Sequence, residues 1–170
     1  MVERFTREAK NLYPGRYKRQ ALRFARAEPE DTEALRRLAR ASEAHWGYDE
    51  AFMENFDAGF NVTEDFIRRN PVYAAGERGC PAAFWGIRQD RDAWELEYFY
   101  VAEERLGRGL GKQMWEHMTG WCGKQEICRI HFVTSPQAVG FYRKMGAVRD
   151  GETRSPCWTA VRFRIFVYDL

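Results

Sequence analysis

The sequence contains no apolar run approaching the roughly 20 residues that cross a bilayer, so no membrane partner is expected. Its opening, "MVERFTREAK", lacks the apolar stretch of a secretory signal, and a cytoplasmic location is the expectation. Cysteines are few: Cys80, Cys122, Cys128 and Cys157, no two close enough in sequence for a zinc knuckle. The histidines, His45, His117 and His131, are scattered, so no metal is expected and the thiols read as reduced and mostly buried. A net charge of +2 is too small to hold nucleic acid by bulk electrostatics. Internal repeats, low-complexity tracts and interdomain linkers are absent as well.

What remains is a chain of 170 residues, 45% hydrophobic and 15% aromatic, enough to bury one core without staples. Residues 1–20 stand apart as a helical arm. Val2, Phe5, Ala9, Leu12 and Tyr13 share a face, Pro14-Gly15 ends it, and Arg16, Lys18 and Arg19 follow. The arm reads either as a docked surface helix or as a contact for a partner, so a homodimer stays open.

Residues 21–170 form the main domain. "ALRFARAE" reads as a strand. "PEDTEALRRLARASEAHW" reads as a helix with Leu35, Leu38, Ala41 and Ala44 on one stripe, closed by Gly47. "DEAFMENF" and "TEDFIRRN" add two helices, the second capped by Thr63. "VYAAGE", "AAFWGIRQ" and "AWELEYFYV" predict an antiparallel meander with turns at 78–81 and 89–92. Gly111 to Cys122 is a helix with Leu110, Met114, Trp115 and Met118 as its stripe, and "CRIHFVT" is a strand. "SPQAVGFYRKMGA" is a helix with Ser135 as N-cap, Pro136 at its first position and Gly146 as its stop. The order ends in strands, the last being "TAVRFRIFVYDL". The class is α/β: a mixed, mostly antiparallel sheet of about seven strands flanked by helices.

"EERLGRGLGKQMWEHM" holds the chemistry. Gly107, Gly109 and Gly111 alternate immediately before a helix, where glycine costs about 1 kcal/mol relative to alanine in the helix itself. A glycine turn at a helix N-terminus gathers backbone N–H groups and the positive end of the macrodipole, and Arg108 and Lys112 add charge. A phosphate is the natural guest. The dinucleotide pattern G-x-G-x-x-G fails at Lys112; the P-loop pattern fails at Leu106 and Gln113. ATP binding through Gly111-Lys112 is the weaker alternative.

"LEYFYVAEERLGRGLGKQMWEHM" followed by "SPQAVGFYRKMGA" resembles the GCN5-related N-acetyltransferase superfamily, with "AHWGYDEAF" suggesting its bacterial small-amine branch. The pattern there is a strand, then [RQ]-x-x-G-x-[GA], then a helix, and later Asn-x-x-Ala-x-x-x-Tyr. Leu106 stands where the family has Arg or Gln, and Ser135 where it has Asn. The resemblance implies acetyl transfer from acetyl-CoA, without a metal, to a primary amine of a small molecule or a peptide N-terminus. A coenzyme A-binding sensor without turnover is the alternative from another class. On the same resemblance Phe99, Tyr100 and Val101 pair with the pantetheine arm. Leu106, Gly107, Arg108, Gly109, Leu110, Gly111 and Lys112 cradle the pyrophosphate, with Ser135, Ala138 and Tyr142 beside the coenzyme. Tyr142 falls at the family's tyrosine, which protonates the departing thiolate; the alternative is a packed core aromatic. Glu95 and Glu97 lie on one side of a strand by its period of two, opposite Trp94, Leu96, Tyr98 and Tyr100. Either can serve as base, unless paired with arginine or replaced by a water. His45, Trp46 and Tyr48, near Phe52, are the acceptor-pocket candidates.

Overall fold

In the computed structural model, which describes residues 22–60, 62–154 and 162–170, the strand-rich runs assemble into one seven-stranded sheet. The strands are β1 (Phe24–Arg26), β2 (Val72–Glu77), β3 (Cys80–Asp90), β4 (Ala93–Val101), β5 (Arg129–Thr134), β6 (Val148–Arg154) and β7 (Arg162–Asp169), in the order β1-β2-β3-β4-β5-β7-β6. Every pairing is antiparallel except β4 with β5. The helices are α1 (Thr32–Ala44), α2 (Glu50–Gly59), α3 (Glu64–Arg69), α4 (Leu110–Lys124) and α5 (Val139–Lys144). The arm at 1–20, Cys157 and the start of "TAVRFRIFVYDL" lie outside the described residues.

The meander is tighter than its sequence suggests. Cys80 and Pro81 already pair with Glu77 and Gly76, so the turn is Arg78-Gly79, with Gly79 at φ +80°. The one positive φ of this loop falls on its glycine, the residue that adopts it without steric cost. Gln89 and Asp90 likewise pair with Trp94 and Ala93, leaving Arg91-Asp92 as the second turn. Thr63 caps α3 as expected, accepting from the Phe66 N–H at 3.0 Å.

Helices cover both faces. On one, Leu110, Met114, Trp115, Met118 and Cys122 of α4 pack on Trp85, Ile87, Leu96, Ile130 and Phe132. On the other, Leu35 and Leu38 of α1 and Phe52, Met53 and Phe56 of α2 pack on Val72, Phe84 and Tyr98. Two burial expectations need correction. Ala41 and Ala44 are exposed, and Ala34 and Ala39 carry the α1 stripe beside the leucines, because the buried arc is set by where the sheet lies. Cys122 is buried, but Cys80 and Cys128, next to chain reversals, are exposed.

The strand β4 departs from simple alternation. Gly86 opposes Tyr98 and Ile87 opposes Leu96, so Glu97 is an extra residue, a β-bulge. It resets the faces. Trp94, Leu96, Phe99 and Val101 pack toward α4, whereas Tyr98 and Tyr100 pack toward α1 and α2. The four residues expected opposite the glutamates therefore divide between the two layers.

His117 accepts a hydrogen bond at Nδ1 from Trp85 Nε1–H, 3.0 Å away, and stacks on Phe24 at 4.6 Å. Burial, reinforced by Lys124, holds its pKa below the ordinary 6.5. The unfolded chain therefore binds this proton more tightly. The stabilisation is complete above the unfolded pKa and is lost as pH falls through the folded value. The melting temperature is expected to drop between about pH 7 and 5, and His117→Gln to flatten that slope. Parallel slopes for the two proteins would refute the assignment.

Candidate functional site

β4 and β5 pair at only two positions, Trp94 with Ile130 and Glu95 with His131. The bulge at Glu97 follows at once, and beyond it the strands part. The result is a cleft of about 1150 Å³. Phe99, Tyr100 and Val101 line one wall; Phe132, Thr134, Ser135, Ala138 and Tyr142 line the other. The β4 edge along the gap has no strand partner, so an extended guest can hydrogen-bond there as a further strand does.

The glycine segment closes one end. After Val101 a 3-10 turn covers Glu103–Arg105, Gly107 and Gly109 take φ of +69° and +85°, and α4 starts at Leu110. A Cβ at Gly107 or Gly109 would meet nothing within 4 Å, so these two serve the left-handed backbone. Gly111 serves close packing: its Cβ would sit 3.2 Å from the Phe141 ring. Among the described residues the N–H groups of Gly109, Leu110, Gly111 and Lys112 have no backbone acceptor; the first N–H of this stretch to find one is Gln113's, on Gly109 O at 3.1 Å. Four free donors on the positive end of a 15-residue helix, with Arg105 and Lys112 also lining the cleft, fit a pyrophosphate.

Most sequence-chosen residues meet in this cleft. Leu106, Gly107, Gly109, Gly111 and Lys112 line it; Leu110 is instead buried in the core, and Arg108 is exposed and not among the lining residues. Ser135 is buried on the wall, but it precedes a 3-10 turn, Pro136–Ala138, and its side chain makes no cap hydrogen bond. The helix α5 begins only at Val139, because proline and the tight turn come first.

Tyr142 is buried, its ring 4.5 Å from Phe132 and 5.1 Å from Phe141. Its hydroxyl shares a hydrogen bond with Thr134, and burial, with Glu43 adding to it, pushes its pKa far above the usual tyrosine range. The phenol thus keeps its proton at any physiological pH. Glu95 and Glu97 both face Arg88: Nη2 donates to Glu95 Oε2 at 2.8 Å, and Nε lies 3.0 Å from Glu97 Oε2 as an ion pair without hydrogen-bond alignment. Burial raises the Glu97 pKa while Arg88 opposes it. Burial, with Glu97 beside it, takes Tyr98 up to about 12.

His45 and Trp46 border the cleft, with His45 Nδ1 3.2 Å from Glu103 Oε1. Tyr48 stands behind the lining. It stacks on Phe52 at 4.0 Å and donates to Gln137 Oε1 at 3.2 Å, joining the α1–α2 loop to the turn before α5. Sequence reasoning missed three residues here. Arg105 was signalled only as the neighbour of Leu106. Arg88 could have been found from the meander, whose register sets it opposite Glu95. Glu43, on the cleft in the last turn of α1, has its pKa pushed up to about 7 by burial.

A mostly antiparallel sheet that splits between its two parallel strands, over a glycine-built helix N-terminus, defines the acyl-CoA N-acyltransferase class of fold. Residues 32–147 match the model of the acetyltransferase (GNAT) family, and the chain belongs to that family. With the family comes the class of activity, acetyl-CoA-dependent acetyl transfer. Solved structures agree on the fold. A GCN5-related N-acetyltransferase from Rhodopseudomonas palustris superposes with a TM-score of 0.72 at 17% identity, covering 92% of this chain and 100% of that one. PaiA N-acetyltransferase from Thermoplasma acidophilum, in complex with coenzyme A, gives 0.69 at 18%, covering 89% and 100%. An aminoglycoside 6'-N-acetyltransferase, also with coenzyme A, gives 0.65 at 14%, covering 86% and 96%. A comparison with curated proteins gives no match. Among the described residues no helix is long and apolar enough to cross a membrane.

Proposed function

We propose that this chain is a cytoplasmic N-acetyltransferase that moves the acetyl group of acetyl-CoA directly to a primary amine of a small molecule. The observation that carries the reading is the single cleft in which the β4–β5 gap, the free N–H groups of α4 and the Tyr142 wall meet. Acetyl-CoA supplies a thioester whose carbonyl carbon the amine attacks. The main chain of Phe99, Tyr100 and Val101 aligns the pantetheine arm. The backbone of Gly107 to Lys112, with the Leu106 side chain packed beneath it, holds the pyrophosphate without the arginine or glutamine usual at position 106. Ser135 and Ala138 flank the arm opposite. Tyr142 gives its hydroxyl proton to the departing sulfur. His45 and Trp46 frame the entrance on the acceptor side, with Tyr48 supporting them through Phe52 and Gln137. The base belongs among the carboxylates of the cleft, with Glu95 and Glu97 sharing Arg88.

Thermal shift with acetyl-CoA, coenzyme A and ATP tests the donor. A ligand at about 100 times its dissociation constant adds roughly 2.7 kcal/mol, on the order of 5–10 °C for a domain of this size. Stabilisation by acetyl-CoA and not by ATP is expected, followed by thiol release on adding primary amines. A shift with ATP alone would replace this reading by nucleotide binding.

A further inference from the structure

Three carboxylates line the cleft, and two of them, Glu95 and Glu97, are matched by Arg88. The third, Glu43, has no hydrogen-bond or ion-pair partner for its side chain among the described residues. Its position is unfavourable in two further ways. Burial removes much of its hydration, and the last turn of a helix presents partial negative charge, which favours cations and not acids. Nothing in the packing of α1 gains from an acid there, since the buried residues of that helix are Thr32, Ala34, Leu35, Leu38 and Ala39. A cationic guest would relieve all of these costs together. Glu43 lines the same cleft as Tyr142, and its charge raises the pKa of the Tyr48 and Tyr142 hydroxyls. The same cleft presents Trp46, Phe56, Phe60 and Tyr100, which suit an apolar body and a nearby cation.

We propose that Glu43 receives the acceptor as a primary ammonium carried on an apolar, ring-bearing body and removes a proton from it, an assignment that rests on the acetyl transfer proposed above. The ammonium brings three protons. One passes to the Glu43 carboxylate, freeing the nitrogen lone pair to form the new C–N bond at the acetyl carbon. As the C–S bond breaks, its electron pair goes to sulfur, which takes the Tyr142 hydroxyl proton. The tyrosinate regains a proton from the nitrogen, and the third proton stays as the amide N–H. Glu43 then releases its proton to solvent.

The test uses the full chain and Glu43→Gln, with 2-phenylethylamine and its neutral counterpart 2-phenylethanol as probes. Calorimetry or saturation-transfer NMR near pH 8 should show the wild-type protein binding the amine more tightly than the alcohol. Glu43→Gln should weaken the amine by about ten- to a hundredfold and leave the alcohol unchanged. In turnover of the same amine, the wild-type kcat/KM should rise with pH through the ionisation of Glu43, and that limb should vanish in the variant. The acetyl-CoA thermal shift is read in parallel, and its absence in the wild type condemns the acetyl-transfer reading on separate grounds. Equal amine affinity in the two proteins, no preference for amine over alcohol, or an unaltered pH limb in the variant overturns the role of Glu43.

Discussion

Tyr142→Phe is expected to lower kcat by about 10²- to 10³-fold, the range lost when a positioned proton donor is removed, with KM for acetyl-CoA changed little. The ring would keep its contacts with Phe132, Phe141 and Trp115, at 4.5, 5.1 and 5.7 Å, so the cleft wall survives. The hydroxyl goes, and with it the hydrogen bond with Thr134. That bond contributes about 1 kcal/mol to stability, too little to unfold the domain. Because the hydroxyl pKa lies far above its ordinary value, the donor form persists across the working range and the wild type should show no alkaline loss from Tyr142 itself. Steady-state kinetics with acetyl-CoA varied, alongside the coenzyme thermal shift, separate proton donation from binding. A variant with wild-type kcat would leave Tyr142 as a packing residue and move proton delivery to water.

The second large effect is on stability. Trp85→Ala is expected to cost about 3–5 kcal/mol, typical of a buried aromatic cut to alanine. Trp85 is fully buried, stacks on Tyr73 at 4.9 Å, lies 5.9 Å from Trp121, and bonds His117. Against a total of roughly 5–15 kcal/mol, such a loss consumes much of the margin. Urea denaturation gives the value directly. Trp85→Phe separates the contributions, keeping most of the packing and removing the indole N–H. A loss under about 1 kcal/mol for the alanine variant would mean that the core around Tyr73 and Trp121 closes over the space.

The glycine turn was the most legible part of the site, since positive φ at Gly107 and Gly109 and a helix beginning at Leu110 are local consequences of residue type. The apolar stripe of α4 was legible for the same reason: a 3.6-residue period survives whatever packs against it. The bulge at Glu97 was not. A bulge is a mismatch between two strands, and "AWELEYFYV" alone alternates well enough to conceal it. From that one extra residue came the error about Tyr98 and Tyr100, and from the same residue comes the opening of the cleft. Glu43 was hidden differently. Its sequence neighbours describe a polar helix end, and its burial follows from the docking of α1 on β3 and β4, which its neighbours in sequence do not reveal.

Two residue pairs, Trp94 with Ile130 and Glu95 with His131, are the whole backbone ladder between strands β1 to β4 and strands β5 to β7, the rest of the joint being the apolar core under α4. Mechanically the sheet is a pair of panels on a short hinge, with the seam left unsewn below it. A molecule long enough to lie along that seam and bond to both margins does more than occupy a site; it completes the fabric. Cohesion between the panels and affinity for the occupant are then linked, and how firmly the protein holds together reports in part on what it is holding.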